Sequence, residues 1–124
     1  MVPQDVINEM VKVFFTLQLN MKIYHWNTTS FARHKASDQF GGNLLALVDK
    51  FVEIFIGRYK VKPFISDVTI DPKYINDDGS ENLLIRSKKF LEGIDNNVKD
   101  TDLLNIRDEL LAEINQTLYL YQLK

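Results

Sequence analysis

A chain of 124 residues accommodates one domain with one hydrophobic core and leaves no room for a separate cofactor-binding unit. Apolar residues make up 45% and charged residues 26%, and 15 basic against 17 acidic residues give a formal net charge of -2. Nucleic-acid binding is therefore not expected, and the absence of cysteine excludes disulfides, thiol catalysis and thiolate metal sites.

The N-terminal sequence MVPQDVINEM contains neither a basic arm nor the apolar stretch of a signal peptide. No segment approaches the roughly 18 to 20 apolar residues of a membrane span. We therefore expect a cytoplasmic protein without membrane contact, folded as one domain over residues 1–124.

The first predicted helix runs from Pro3, which is accepted in a first turn, to about Trp26. It ends in the run Tyr24-His25-Trp26-Asn27, where aromatic rings ordinarily indicate packing, and Asn27–Ser30 then break the pattern with turn and N-cap residues. Apolar residues recur along it at steps of three and four: Val6, Met10, Val13, Phe14, Leu17, Met21 and Tyr24.

The second predicted helix runs from about Ala32 to Tyr59. Gly41 and Gly42 lie near its middle, and each costs a helix about 1 kcal/mol relative to alanine. The pair therefore predicts that another element approaches the helix backbone closely at this point. Its apolar stripe comprises Phe40, Leu44, Leu47, Val48, Phe51, Ile54 and Phe55.

The stretch from Lys60 to Ser80 is punctuated by prolines and by an Asp-Asp-Gly run, which predicts a long connection containing a short helix. Ser80 is the expected N-cap of a third helix that ends near Asn96–Asn97, and Asp100 or Thr101 caps a fourth. Two helical hairpins joined by one longer crossover predict an all-α, four-helix bundle.

The second helix also carries two pairs of potential metal ligands at a spacing of four residues, His34 with Asp38 and Asp49 with Glu53. With His34 at 0° and about 100° per residue, the other three lie at about 40°, 60° and 100°, and so on one face. Taken alone, each of the three acids is more simply interpreted as a solvated carboxylate that pairs weakly with Lys35 or Lys50. Two ligand-type pairs on one face favour a metal site.

These two pairs are about 22 Å apart along the helix axis, so one chain cannot bring them to a single ion. Two copies of this helix, packed antiparallel about a two-fold axis near Asn43 and Leu44, would place each pair opposite the other pair of its partner. Close packing at that axis would also account for the two glycines. A short turn would bring His25 to His34 as a second imidazole. Iron, manganese and zinc accept such mixed nitrogen and oxygen ligands.

The run from Leu19 to Arg58 resembles the Dps family of mini-ferritins. That family has a Tyr-His-Trp-Asn run closing its first helix, then a histidine and an acid four residues apart, and later an aspartate and a glutamate four residues apart. The matching residues here are Tyr24-His25-Trp26-Asn27, His34 with Asp38, and Asp49 with Glu53.

The resemblance implies a ferritin-like bundle with an intersubunit ferroxidase centre, where iron is oxidised by hydrogen peroxide or oxygen for storage, detoxification or protection from oxidative stress. It implies metal ligands from one subunit and its dimer mate, with Trp26 as an aromatic residue beside the metals. Dimers of that family assemble into a dodecameric shell. The implied ligands are His25, His34 and Asp38 from one chain and Asp49 and Glu53 from the other.

The chain departs from the Dps pattern in several ways. His25 and His34 are closer in sequence than in that family, which leaves open whether His25 reaches the site. Long tails and a basic arm are absent, which weighs against DNA binding. The sequence thus leaves an alternative to the ferroxidase hypothesis, a non-catalytic ferritin-like bundle that serves as a structural or protein-interaction module. It also leaves zinc or manganese as alternatives to iron.

Overall fold

A computed structural model describes all residues from Met1 to Lys124 and shows an all-α fold with four α-helices and no strand. The predicted all-α class is confirmed. The helices are α1 (Pro3–Asn27), α2 (Phe31–Tyr59), α3 (Asp77–Glu92) and α4 (Thr101–Leu120), with short 3₁₀ helices at Pro72–Tyr74 and Ile94–Asn96. None of them combines the length and apolar character needed to cross a membrane.

The apolar stripes of the four helices meet in one hydrophobic core. α1 packs against α2 and α3, and α4 packs against α2 and α3, so each helix has two neighbours. Phe14 of α1 and Phe51 of α2 contact each other edge to face, with ring centroids 5.7 Å apart. This arrangement is consistent with the predicted four-helix bundle.

Contacts at the two ends of the molecule fix the directions of the helices. Tyr24 at the end of α1 donates a hydrogen bond to Asp77 at the start of α3 (2.7 Å), and Arg33 near the start of α2 lies 4.6 Å from the Tyr121 ring after α4. At the opposite end, Arg58 of α2 pairs with Asp102 of α4 at 2.9 Å. α1 and α4 therefore run in one direction, and α2 and α3 run in the other.

The connection between α2 and α3 runs along the surface of α1. The Asn8 side chain accepts a hydrogen bond from the Phe64 backbone (2.8 Å), and Asn20 bonds the backbone of both Thr69 (3.0 Å) and Asp71 (2.8 Å). Asn20 is fully buried, so these bonds satisfy an amide that would otherwise be costly inside the protein. The crossover thereby returns the chain to the end of the molecule where α2 began.

The third helix begins earlier than the sequence predicted, and Ser80 is not its N-cap. Asn76 has that role, since its side chain accepts a hydrogen bond from the Gly79 backbone N–H at 2.7 Å. Ser80 is buried one turn inside the helix, where its hydroxyl lies 3.0 Å from that of Tyr121. The α-helix also ends at Glu92, and the predicted end near Asn96 belongs to the 3₁₀ helix that follows.

Gly79 lies where the preceding 3₁₀ helix presses on the first turn of α3. A Cβ atom at this position would lie 1.7 Å from the Lys73 carbonyl oxygen and 2.9 Å from the Tyr74 Cα. Only glycine fits there, so the Asp-Asp-Gly run is the first turn of a helix rather than the tip of a loop.

Candidate metal centre

The turn between α1 and α2 brings His25 and His34 into direct contact. Their rings stack with centroids 4.0 Å apart and an interplanar angle of 16°. Ser30 caps α2 by accepting a hydrogen bond from the Arg33 backbone at 3.2 Å, which starts the helix close to the end of α1. The short turn therefore does not separate the two histidines.

Each histidine of this pair is fixed by the backbone of the other. His25 Nδ1 lies 2.8 Å from the His34 carbonyl oxygen, and His34 Nδ1 lies 3.0 Å from the His25 carbonyl oxygen. A carbonyl only accepts, so both Nδ1 atoms carry the hydrogen and donate it. In the neutral rings both Nε2 atoms then keep the lone pair that a metal ion requires.

Asp38 brings a carboxylate to this imidazole pair. His25 Nε2 lies 4.0 Å from Asp38 Oδ1, and the Asp38 side chain is 65% exposed. Two nitrogen or oxygen ligands, each about 2.1 Å from one ion, lie at most about 4.2 Å apart. The separation is therefore within the outer limit for two ligands of one ion, but tetrahedral ligands would lie about 3.4 Å apart, so binding would require the two atoms to approach each other.

Asp49 and Glu53 lie farther along α2, exposed to solvent and on the same side of the helix. Neither they nor Asp38 pairs with a lysine or arginine, so the salt-bridge partners expected in Lys35 and Lys50 are not formed within the chain. No three histidine or acidic side chains of one chain are placed to hold a metal ion. The five candidate ligands thus form two separate half-sites.

The surface between the two half-sites is open. We call it the outer face of α2, and a Cβ added at Gly41 or Gly42 would meet no atom within 4 Å. Leu45 on this face is 47% exposed. Within the chain no element approaches the glycines, so the close approach predicted there requires another molecule. The outer face comprises His34, Asp38, Gly42, Leu45, Asp49 and Glu53.

The residues on either side of His25 have different environments. Tyr24 is fully buried, and burial is the main cause that raises the pKa of its hydroxyl above the usual value. Trp26 is 65% exposed, with the Lys22 ammonium 5.5 Å from its ring. In the Tyr-His-Trp-Asn run, Tyr24 therefore stabilises the fold while His25 contributes to the candidate site.

Sequence reasoning missed Ser37 and an apolar stripe on α1. The Ser37 hydroxyl is buried 3.1 Å from His25 Nδ1, and a hydroxyl three residues after His34 was the available signal. Phe15 and Leu19 are about 40% exposed and share a helix face with Trp26, since the three are four and seven residues apart. Their position off the core stripe indicates an exposed apolar surface.

Residues 25–121 of the chain match the model of a family of unknown function, DUF5856. No curated protein matches the chain. No solved structure matches it either.

Proposed function

The chain belongs to DUF5856, a family of unknown function, and from its candidate metal centre we propose that it is a Dps-like protein that binds and oxidises ferrous iron between two subunits. Iron is the substrate of this reaction, and hydrogen peroxide or oxygen is the oxidant. The proposed role is iron storage, iron detoxification or protection from oxidative stress.

The observation that carries this proposal is the stacked imidazole pair. His25 and His34 each keep an unprotonated Nε2 atom, since both Nδ1 atoms donate to backbone carbonyls, and Asp38 lies 4.0 Å from the Nε2 atom of His25. The arrangement brings two potential nitrogen ligands and one potential oxygen ligand close together, although the three are not placed to hold one ion within a single chain, so binding requires rearrangement and ligands from a second chain.

The remaining ligands are proposed to come from a second copy. An antiparallel two-fold dimer through the outer face of α2 places Asp49 and Glu53 of one chain opposite His25, His34 and Asp38 of the other. The open backbone at Gly42 admits such a neighbour, and Leu45 gives the contact an apolar component. Further association of dimers into a dodecameric shell belongs to the same proposal.

The course of the chain supports a ferritin-like bundle. Two consecutive helices, α2 and α3, run in the same direction and are joined by a crossover that spans the molecule along α1. Ferritin-like bundles contain one such long crossover, whereas simple up-and-down bundles contain none.

The ligand set suits the oxidation of ferrous iron. Carboxylate oxygens favour the higher charge of the ferric product, and imidazole nitrogens bind the ferrous substrate. An exposed Asp38 leaves the site accessible to an oxidant. Zinc and manganese accept the same ligands, so the identity of the metal is one outcome of the test below.

A second function, a non-catalytic helical module, is favoured by the absence of three clustered ligands within one chain. If the chain does not form the proposed dimer, Asp49 and Glu53 remain solvated carboxylates. The buried His25 then contributes only to packing at the end of α1.

Anaerobic titration with ferrous iron, followed by hydrogen peroxide and a mass measurement in solution, tests the proposal. We expect saturable binding of one or two irons per chain and rapid appearance of ferric absorbance. Separate titrations with zinc and manganese determine which metal the site prefers. His34→Ala and Asp49→Ala should each abolish binding with helical content intact, because both positions are partly or fully exposed.

A mixture of the two variants tests whether the site is shared between chains. A mixed dimer contains one site that lacks both ligands and one intact site, so random exchange should restore roughly a quarter of the binding capacity. Glu92→Ala, which removes an exposed acid of α3 with no ion pair, is the matched control and should bind normally. A dimer that binds no iron above this control's background would instead establish the non-catalytic module.

A further inference from the structure

A cleft of about 320 Å³ lies between α1 and α3, away from the outer face of α2. Its volume falls at the lower end of the range for small-molecule sites. The apolar wall is formed by Val13 of α1 and by Leu83 and Phe90 of α3, and Tyr74 closes one side. None of these residues belongs to the candidate metal centre.

Two cations border this cleft and neither has an acidic partner. Lys12 projects from α1 and Arg86 from α3, and no salt bridge includes either of them. No acidic side chain lines the cleft. Two positive charges beside an apolar wall raise the local positive potential, which favours the binding of an anion.

Two hydroxyl groups add hydrogen-bonding capacity at the same place. The Tyr74 hydroxyl accepts from Arg86 Nη1 at 2.6 Å, so its own hydrogen remains free to be donated. Ser87 is 95% buried (5% exposed) and lines the cleft, yet its hydroxyl forms no hydrogen bond within the chain. Gln18 Oε1 alone is a fully buried side-chain polar atom without a partner, so the Ser87 hydroxyl opens to solvent in the cleft, where it can bond a ligand or water.

We propose that this cleft binds a small monocarboxylate with an apolar tail. The carboxylate accepts hydrogen bonds from Lys12 and Arg86, and the tail packs on Val13, Leu83 and Phe90. Arginine matches the geometry of a carboxylate through two parallel N–H groups. A phosphate ester is less suited, because both cations lie in mid-helix, where backbone N–H groups are already bonded and no helix N-terminus is available.

Octanoate is the probe for this cleft, and backbone amide NMR shifts of the full chain are the readout. We expect saturable shifts at Val13, Leu83 and Ser87, with weaker effects from octanol, which lacks the charge, and from acetate, which lacks the tail. Arg86→Gln and Lys12→Gln should each weaken octanoate binding at least about tenfold, the usual effect of losing one hydrogen bond to a charged group.

Arg86→Lys retains the charge and should restore part of the affinity, which separates a binding role from a purely structural one. Lys99→Gln removes the same charge at an exposed position outside the cleft and should bind octanoate like the parent. Equal affinity in Arg86→Gln and Lys99→Gln, octanol binding as tight as octanoate binding, or shifts confined to other surfaces would each overturn the proposal.

Discussion

At the scale of single residues, the His25–His34 pair is oriented by backbone carbonyls rather than by other side chains. Each ring donates to the carbonyl of the other residue, so moving one residue disturbs both rings. The stacked geometry therefore depends on the turn at Thr28–Ser30 keeping its length. In the proposed metal centre this arrangement would hold the two Nε2 atoms in place before a metal binds, which would lower the entropic cost of binding.

Whether a position in this chain tolerates a side chain depends on the backbone packed against it, as Gly79 shows. Its α-carbon faces the backbone of the 3₁₀ helix at Pro72–Tyr74, and backbone atoms cannot rotate aside as a flexible side chain can. Gly57 in α2 provides the contrast, since a Cβ there would meet no atom within 4 Å.

Gly79→Ala should therefore lower the free energy of unfolding by at least about 2 kcal/mol, because the added methyl forces the 3₁₀ helix away from α3. Gly57→Ala should raise it by up to about 1 kcal/mol through helix propensity alone. Urea unfolding monitored by circular dichroism measures both. Similar stabilities of the two variants would mean that the 3₁₀ helix moves aside freely.

The sequence predicted the spacing of His34 and Asp38 because both lie on one regular helix, where geometry follows from residue number. It also predicted that a short turn would bring His25 to His34, but it left open whether His25 reaches the site, because the stacked contact depends on the conformation of three turn residues. The role of Gly79 was likewise hidden, because it depends on the position of Lys73 in a separate element.

At the scale of secondary-structure elements, a buried polar network joins the ends of all four helices. Tyr121, which follows α4, forms a hydrogen bond with Ser80 of α3, and the Arg33 guanidinium of α2 lies over the Tyr121 ring. The ring of Tyr24 in α1 lies 5.8 Å from the same Tyr121 ring. Burial is the main cause that raises the pKa of the Tyr121 hydroxyl well above its usual value. Burial therefore keeps this hydroxyl protonated while the chain is folded, against the smaller opposing effects of Ser80 and Arg33 on its pKa.

This shift makes stability depend on pH in the alkaline range. Above pH of about 10 the unfolded state loses the Tyr121 proton while the folded state keeps it, so the free energy of unfolding should fall by up to about 1.4 kcal/mol per pH unit. Below pH of about 9 this group should have no effect.

Unfolding of the parent and of Tyr121→Phe between pH 8 and 11 measures this dependence. The phenylalanine variant should be less stable at pH 8, since Ser80 loses a partner, but its stability should decline less steeply above pH 10. Lysines titrate equally in both proteins, so the difference isolates Tyr121. Parallel declines would show that its hydroxyl is accessible to solvent in the folded state.

The sequence predicted three of the four helices to within a residue or two, because their apolar periodicity is long and regular. It placed the start of α3 four residues too late, with the N-cap at Ser80 rather than at Asn76. Asp77, Asp78 and Gly79 have the composition of a turn, but an upstream asparagine caps them into a helix. Local composition cannot distinguish a loop turn from the first turn of a helix when the capping residue and the packing partner both lie outside the Asp-Asp-Gly motif.

At the scale of the whole molecule, the outer face of α2 carries the proposed dimer contact. Gly42 lies between the two half-sites of the proposed metal centre, and nothing in the chain covers it. A glycine in mid-helix costs about 1 kcal/mol, so the chain is less stable as a monomer than it would be with alanine there. A close helix contact in the dimer would offset that cost.

Gly42→Ala should therefore have opposite effects on the monomer and on the dimer. The monomer should unfold at higher urea concentration, whereas the dimer dissociation constant should rise at least about tenfold, because the methyl separates the two helices. Analytical ultracentrifugation measures the dissociation constant. Gly57→Ala, the matched control, should stabilise the monomer to the same extent and leave the dimer unchanged. An unchanged dimer in both variants would place the two-fold axis elsewhere.

The crossover along α1 has a consequence for the order in which the chain gains structure. Its contact between Asn20 and Thr69 closes a loop of 49 residues, whereas the contact between His25 and His34 closes one of nine. Loop-closure entropy makes the longer contact costlier by about 1.5 kcal/mol. One half of the proposed metal centre thus lies in the part of the chain that closes with the smaller of these two entropic penalties. The position of α3 depends on the slower, non-local contacts.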